Sequence, residues 1–184
     1  QEFLKRKIPI LVEKPIAKTI EQGEELVRLA RASGTPLQVG HVERFNPAVT
    51  SVLDRIQKPR FVEVHRLSPF RFRSTDIDVV MDLMIHDLDI ILHLARSNVE
   101  RIEAIGFNVL GENEDLANAR IFFENGCIAN MTASRVSLKR ERKVRVYQHD
   151  SYISIDYQGQ KALIYRKKPG FEAGVHDLGK LGPD

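Results

Sequence analysis

The sequence predicts an α+β fold in two parts: a parallel β-α-β unit, then a mostly antiparallel β-sheet domain with a long packed helix. Three observations predict it. A short, wholly apolar run, Ile8–Val12, leads through an amphipathic helical stretch to a second short run, Pro36–Gly40. A stretch of helical periodicity follows at Met81–Leu94. After it, strand-like segments separated by turn signals fill the chain from Val99 to Arg166. Residues 1–46 are expected to form the first part, residues 47–170 the α+β domain, and residues 171–184 a loop or tail.

Taken in order, residues 2–7 read as the end of a helix, and Ile8–Val12 as a strand apolar enough to be buried on both faces. Thr19–Ser33 reads as a helix. Thr19 is its expected N-cap, Glu21, Glu24 and Glu25 lie where the helix dipole favours them, and Gly34 stops it. With Pro36–Gly40 this makes a β-α-β unit, whose two strands the handedness rule makes parallel. Ligands in such sheets sit beyond the carboxyl ends of the strands, which here are Glu13-Lys14 and His41–Asn46. Asn46-Pro47 opens a helix expected to run to about Gln57, with Asn46 as cap and Pro47 at the first position. Phe61–Leu67 alternates as a strand. The helix Met81–Leu94 turns Leu83, Ile85, Leu88, Ile91 and Leu92 to its apolar side. Strands are expected at Val99–Leu110, Ala117–Glu124, Cys127–Val136, Lys143–His149, Ser151–Asp156 and Ala162–Arg166, with turns at Asn125-Gly126 and Gln158-Gly159.

Composition sets bounds. The 184 residues suffice for one large domain or one and a half, and 42% hydrophobic with 29% charged residues is ordinary for a globular chain. No apolar run approaches the roughly 20 residues that span a bilayer, and Gln1–Lys7 lacks a signal-peptide core. One cysteine, Cys127, leaves no intramolecular disulfide and suits a reducing, cytoplasmic setting. Its strand-like neighbours point to buried packing. The net charge of +3 owes much to Lys139-Arg140-Glu141-Arg142-Lys143 and Arg145. Without interleaved aromatic residues that run reads as a solvated turn, so neither nucleic acid nor membrane is an expected partner.

Three segments carry chemistry. Lys14 follows a strand and precedes a proline; a lysine so placed can hold a lowered pKa or stabilise a developing alkoxide. The competing reading is a surface lysine at a strand end. Asp82-x-x-x-His86 sets a carboxylate and an imidazole on one helical face. The carboxylate can orient the ring and stabilise its protonated form, which suits a general base. The competing reading is an N-cap, Asp82, followed by a satisfied histidine. Asp87 should point elsewhere on the helix, while Asp89 could share the face of His86. A metal held by Asp82, His86 and Asp89 lacks a second histidine at ligand spacing, so no metal is expected. In Gly40-His41-Val42-Glu43-Arg44-Phe45-Asn46-Pro47, Gly40 permits close backbone approach and Arg44 could hold a carboxamide, phosphate or sugar oxygen. An ordinary strand-to-helix loop is the alternative.

Together these residues resemble the Gfo/Idh/MocA oxidoreductase family. Glu13-Lys14-Pro15 is similar to its EKP motif, Gly40–Pro47 to its glycine–arginine–aromatic segment, and Asp82-x-x-x-His86 with Asp89 to its catalytic helix, in the same order and over roughly residues 1–170. The resemblance implies an NAD(P)-dependent dehydrogenase that passes a hydride between a sugar, nucleotide-sugar or cyclitol hydroxyl and NAD or NADP. It makes residues 1–46 the end of a Rossmann-type sheet. Glu13, Lys14, Pro15 and Arg44 would meet the cofactor. Lys14, Asp82 and His86 would be catalytic, with His86 the general base and Asp82 its partner. Lys14, Arg44, Arg66, Ser68, Asp82 and His86 would meet the substrate. The β-sheet domain would form a homo-oligomer. Thr132-Ala133-Ser134-Arg135-Val136-Ser137, with Lys139 and Arg142, is similar to the branch acting on UDP-N-acetylhexosamines. The family's opening strand and G-x-G-x-x-G turn have no match here, so the chain reads as a fragment with little cofactor binding or activity of its own. For the isolated fragment, a non-catalytic dimerisation or binding module is the alternative.

Overall fold

The computed structural model describes residues 1–71 and 76–168; the loop or tail expected over 171–184 lies outside the described residues. The chain divides into two compact units, Gln1–Val42 and Glu43–Asp184.

The first unit contains α1 (Glu2–Lys5), β1 (Ile10–Val12), α2 (Ile20–Ser33) and β2 (Leu37–Val39). β1 and β2 pair in parallel, Ile10 opposite Leu37 and Val12 opposite Val39. The boundaries of α2 follow from its end residues. The Thr19 hydroxyl accepts a hydrogen bond from the Gln22 N–H at 3.3 Å. Gly34, at φ +64°, takes the left-handed conformation that turns the chain out of the helix. The expected burial of β1 on both faces is not observed. Leu11 is 72% exposed, because cover in this unit reaches only the face that carries Ile10 and Val12.

A 3₁₀ turn, Val42–Phe45, begins at the last residue of the first unit, and α3 (Pro47–Thr50) follows in the second. Asn46 caps α3 as expected, its Oδ1 accepting from the Ala48 N–H at 3.0 Å. The helix expected to reach Gln57 stops after one turn, and a separate 3₁₀ turn follows at Leu53–Arg55. The Thr50 and Ser51 hydroxyls donate to the Pro47 and Ala48 carbonyls, competing with the backbone for its acceptors.

Seven strands form one sheet: β3 (Phe61–Leu67), β4 (Val99–Phe107), β5 (Leu116–Phe123), β6 (Ile128–Ser134), β7 (Glu141–Tyr147), β8 (Ser151–Asp156) and β9 (Lys161–Arg166). Their order is β4-β5-β6-β3-β7-β8-β9, with β3 and β6 parallel and every other pair antiparallel. The long helix is α4 (Ile85–Ala95), and a π-helical turn, Val80–Met84, occupies the start expected for it. There the Ile85 N–H reaches back to the Val80 carbonyl.

Strand alternation places the core. Val62, Val64, Ile121, Met131, Val144, Val146 and Ile153 turn inward and meet Ile90, Ile91 and Leu94 of α4 with Val49, Val52 and Ile56. Cys127 is buried among them, and burial pushes its thiol up to about 11, so it packs as a small hydrophobe. Among the described residues no helix is long and apolar enough to cross a membrane.

The opposite sheet face carries an apolar row. Phe122, Ile128, Phe61, Tyr147, Tyr152 and Tyr165 stand in cross-strand register on successive strands. Ring centroids lie 5.8 Å apart for Phe61–Tyr147, 5.1 Å for Tyr147–Tyr152 and 5.8 Å for Tyr152–Tyr165. Part of the expected basic turn lies in β7, where Arg145 reaches Glu63 at 3.1 Å and Glu141 at 3.3 Å.

A buried clasp joins the β4–β5 loop to the segment leading into α4. Asp115 accepts from the Val109 and Leu110 N–H groups at 2.8 and 2.7 Å and from Arg135 Nε at 2.6 Å. Arg135 Nη1 donates onward to the Ile77 carbonyl at 2.7 Å. Burial alone would raise the Asp115 carboxyl, but the Leu110 N–H, the Arg135 guanidinium and the Val109 N–H hold it down, from 3.8 to about 2. A depressed carboxylate stabilises the fold above its unfolded value, and the contribution is lost as pH falls through the folded one. Asp115→Asn is therefore expected to lower Tm at neutral pH, and the gap from wild type should close between about pH 4 and pH 2. Thermal melts across that range check it; a constant gap would show that the charge is not what matters.

Candidate active site

In the first unit the parallel strands end together. The Gly40 N–H donates to the Val12 carbonyl at 2.7 Å, extending the pairing past β2, and Glu13-Lys14-Pro15 follows β1 directly. The Lys14–Pro15 peptide is cis. Gly40 is buried, and a Cβ built on it would stand 3.1 Å from Glu13 Oε2 and 3.3 Å from Oε1. The close approach expected at Gly40 is thus to the Glu13 carboxylate, which lies against its bare Cα. Lys14 is half-buried beside them.

In the second unit Asp82 lies in the π-turn and His86 in the first turn of α4, both half-buried. A wide turn followed by an α-turn still returns residue i+4 close to the face of residue i. The reading of Asp82 as N-cap is corrected: Asp78 does that work, its Oδ1 accepting from the Met81 N–H at 2.8 Å. Asp82 is left inside the turn, four residues before His86.

Two further aspartates of the same helix are engaged by arginines. Arg44 Nε and Nη2 each donate to Asp89 at 2.6 Å. The Arg44 side chain stays 44% exposed, so its Nη1 edge can still meet a ligand. The Asp89 carboxylate, which the spacing sets near the face of His86, takes both bonds of this fork.

Arg66 requires the largest correction. It was expected to line a substrate pocket, yet it is 2% exposed. Its Nε and Nη2 donate to Asp87 at 2.6 and 2.8 Å, and Nη1 lies 3.5 Å from Glu43. The reason is strand parity: Arg66 shares the inward face of β3 with Val62 and Val64. Burial pushes the Asp87 carboxyl up against the pull of Arg66. Burial would lower the Arg66 guanidinium, but the charge of Asp87 holds it firmly protonated. Arg142 lies 3.8 Å from Glu43, and the Tyr157 ring stands 5.5 Å from the Arg66 guanidinium carbon. Burial, then the Asp87 charge, raises the Tyr157 hydroxyl well above its ordinary range. Ser68, half-buried beyond β3, bonds through its backbone to Ser134 at 2.8 Å and Ser137 at 3.1 Å, so it does lie beside the Thr132–Ser137 stretch.

Glu43, Asp87, Arg142 and Tyr157 were not singled out from the sequence as parts of this cluster. Alternation in Phe61–Leu67 was the available signal, since it turns an arginine into the core and an inward arginine demands a carboxylate. Which carboxylate answers could not be read, because Asp87 is 21 residues away in sequence.

The chain's residues 1–41 match the profile described as oxidoreductase family, NAD-binding Rossmann fold, and residues 54–153 match the GFO/IDH/MocA C-terminal domain. UDP-N-acetylglucosamine 3-dehydrogenase of Acidithiobacillus ferrooxidans is 36% identical over 166 residues, which are 90% of this chain and 53% of that protein. Its solved structure superimposes with a TM-score of 0.84 at 35% identity, covering 89% of this chain and 55% of the other. scyllo-Inositol 2-dehydrogenase (NAD(+)) of Bacillus subtilis is 27% identical over 143 residues, 70% of this chain and 42% of that protein. The chain thus spans about half the length of the curated relatives it matches. A parallel strand pair ending in Glu13-Lys14-Pro15, a mixed seven-stranded sheet carrying the Asp82/His86 helix, and both family profiles in that order lead to one conclusion: the chain belongs to the Gfo/Idh/MocA oxidoreductase family.

Proposed function

We propose that the protein containing this chain is an NAD(P)-dependent dehydrogenase acting on the hydroxyl of a nucleotide sugar, with UDP-N-acetylglucosamine the first candidate. The observation that carries this reading is that Asp82 and His86, four residues apart, are both half-buried where the π-turn runs into α4, a spacing that suits a carboxylate stabilising a protonated imidazole. The 36% identity to a UDP-N-acetylglucosamine 3-dehydrogenase supports the substrate class.

The roles divide by chemistry. His86 takes the hydroxyl proton, and Asp82 stabilises the imidazolium that results. Lys14 steadies the oxygen as charge develops on it. The nicotinamide cofactor, when bound, accepts the hydride. Glu13, Lys14 and Pro15 fit such a group: they follow parallel strands at their carboxyl ends, where a bare Gly40 backbone is overlaid by an acidic side chain. Arg44, with one guanidinium edge remaining, contacts the cofactor or the sugar oxygens, and Ser68 lies at the substrate side. A cytoplasmic setting goes with the reading, since the one cysteine is a buried thiol.

The test is reduction of NAD or NADP on adding UDP-N-acetylglucosamine, followed by cofactor absorbance, with free sugars and cyclitols as comparison substrates. Turnover with a nucleotide sugar is expected. Activity on cyclitols alone would move the substrate class, and no turnover with any of the three would sink the reading.

The apolar row on the outer sheet face favours a second copy of the chain as its cover. Tyr147→Asp is expected to shift the protein to a smaller species in sedimentation. An unchanged mass would place the oligomer contact elsewhere.

A further inference from the structure

We propose that Asp87 and Asp89 are positioning residues that set the rotation of α4, and with it the direction of the His86 imidazole; this rests on the assignment of His86 as the base.

Helix geometry is the first argument. At about 100° per residue, Asp87 lies about 100° to one side of His86 and Asp89 about 60° to the other. His86 stands between two anchors. A helix held at one point can roll about it, whereas two anchors flanking a side chain fix the direction in which that side chain leaves the axis.

The second argument is the geometry of the anchors. Both are bidentate forks: Arg66 grips Asp87 at 2.6 and 2.8 Å, and Arg44 grips Asp89 at 2.6 and 2.6 Å. Two parallel bonds to a planar guanidinium constrain angle as well as distance. The Arg66 plane is itself held, by Glu43 at 3.5 Å and the Tyr157 ring at 5.5 Å. Arg66 and Asp87 come from strand and helix, so the fork ties α4 directly to the sheet.

The third argument is what the helix lacks. Its first residues follow a π-turn, and the Asp78 cap, which accepts from the Met81 N–H, holds the start of that turn and not the α-turn that carries His86. A π-turn is an irregularity in hydrogen-bond register, and the backbone there leaves more freedom in how the next turn is set. The forks supply the missing constraint within five residues of it. Energetically the Arg66–Asp87 pair is a poor stabiliser, because well-packed apolar residues of similar volume commonly do as well or better. Direction is what an ion pair gives and an apolar pair does not.

The experiment follows from that contrast and uses the protein with its natural flanking sequence. Arg66→Met/Asp87→Leu removes both charges and keeps the bulk. Its Tm should stay near wild type, KM should change little, and kcat should fall about a hundredfold, the cost of a small misplacement in a reacting group. A stable double variant with wild-type kcat overturns the proposal. If that variant does not fold, Arg66→Lys keeps the charge but not the fork. It should fold with an unchanged KM and a smaller loss of kcat, and wild-type kcat there also overturns the proposal. Should the wild-type protein show no dehydrogenase turnover, the function assignment fails on its own. The clamp is then read from the His86 ring signals in the NMR spectrum, assigned with His86→Ala. Signals displaced in the double variant support the clamp; signals unmoved overturn it.

Discussion

His86→Ala, in the protein with its natural flanking sequence, is expected to lower kcat about a thousandfold and to leave KM for the sugar nearly unchanged. General-base groups contribute in the transition state, where the proton is in flight, and little to the ground-state complex. The imidazole is half-buried at the start of α4 and has Asp82 four residues before it. Removing the ring should not disturb the core, because the inward face of α4 is made by Ile90, Ile91 and Leu94. Asp82→Asn keeps the shape and loses the charge. Its kcat should fall less than that of His86→Ala, since the ring remains and only its protonated form is less favoured. Lys14→Ala should also act on kcat more than on KM, as a group that meets developing charge. Steady-state kinetics at saturating cofactor separate these outcomes. Unchanged turnover in both His86→Ala and Lys14→Ala would overturn the assignment. A large rise in KM at constant kcat would make these residues binders only.

Much of this was legible in the sequence, because local rules decided it. Thr19 and Gly34 end α2 through their own side chain and backbone, and Asn46-Pro47 starts α3 the same way. The strands from Val99 onward follow from alternation and turn residues, within a few positions at each end. The misreadings arose where distant residues compete. The π-turn at Val80–Met84 has ordinary helical periodicity, so nothing in the pattern separates it from an α-turn. Asp78 and Asp82 are both credible caps by composition, and only the Met81 N–H decides between them. The family resemblance put Arg66 at a substrate pocket, against the strand alternation that turns it to the face of Val62 and Val64. Its burial depends on Asp87 meeting it from another element. Lys14, Asp82 and His86 stand out by residue type and spacing, whereas the cluster made of Glu43, Arg66, Asp87, Arg142 and Tyr157 exists only in three dimensions.

Arg66→Met alone is expected to be among the most destabilising single changes in the second unit, costing about 3–5 kcal/mol. Against a typical total of about 5–15 kcal/mol, that loss threatens folding itself. The cost does not come from the packing of Arg66, since methionine fills much of the same space. It comes from Asp87, 2% exposed, which loses the two bonds from Arg66 while Glu43 and Arg142 remain nearby. Such a carboxylate either stays charged without compensation or takes a proton. Burial already pushes the Asp87 carboxyl up in the wild-type protein, and without the opposing pull of Arg66 it must rise further. A carboxyl raised in the folded state favours folding at low pH, an advantage lost as pH rises through the folded value. The stability deficit of Arg66→Met relative to wild type should therefore be largest at neutral pH and shrink as the solution is made mildly acidic. Because the deficit is a difference from wild type, the acid loss at Asp115 cancels. Urea unfolding of the two proteins at pH 7 and pH 5 measures it. Adding Asp87→Leu should recover most of the loss at pH 7 and remove the pH dependence, since the stranded charge is gone. A deficit equal at both pH values, or one that Asp87→Leu does not relieve, would mean that Arg66 stabilises the fold through its packing and not through its charge.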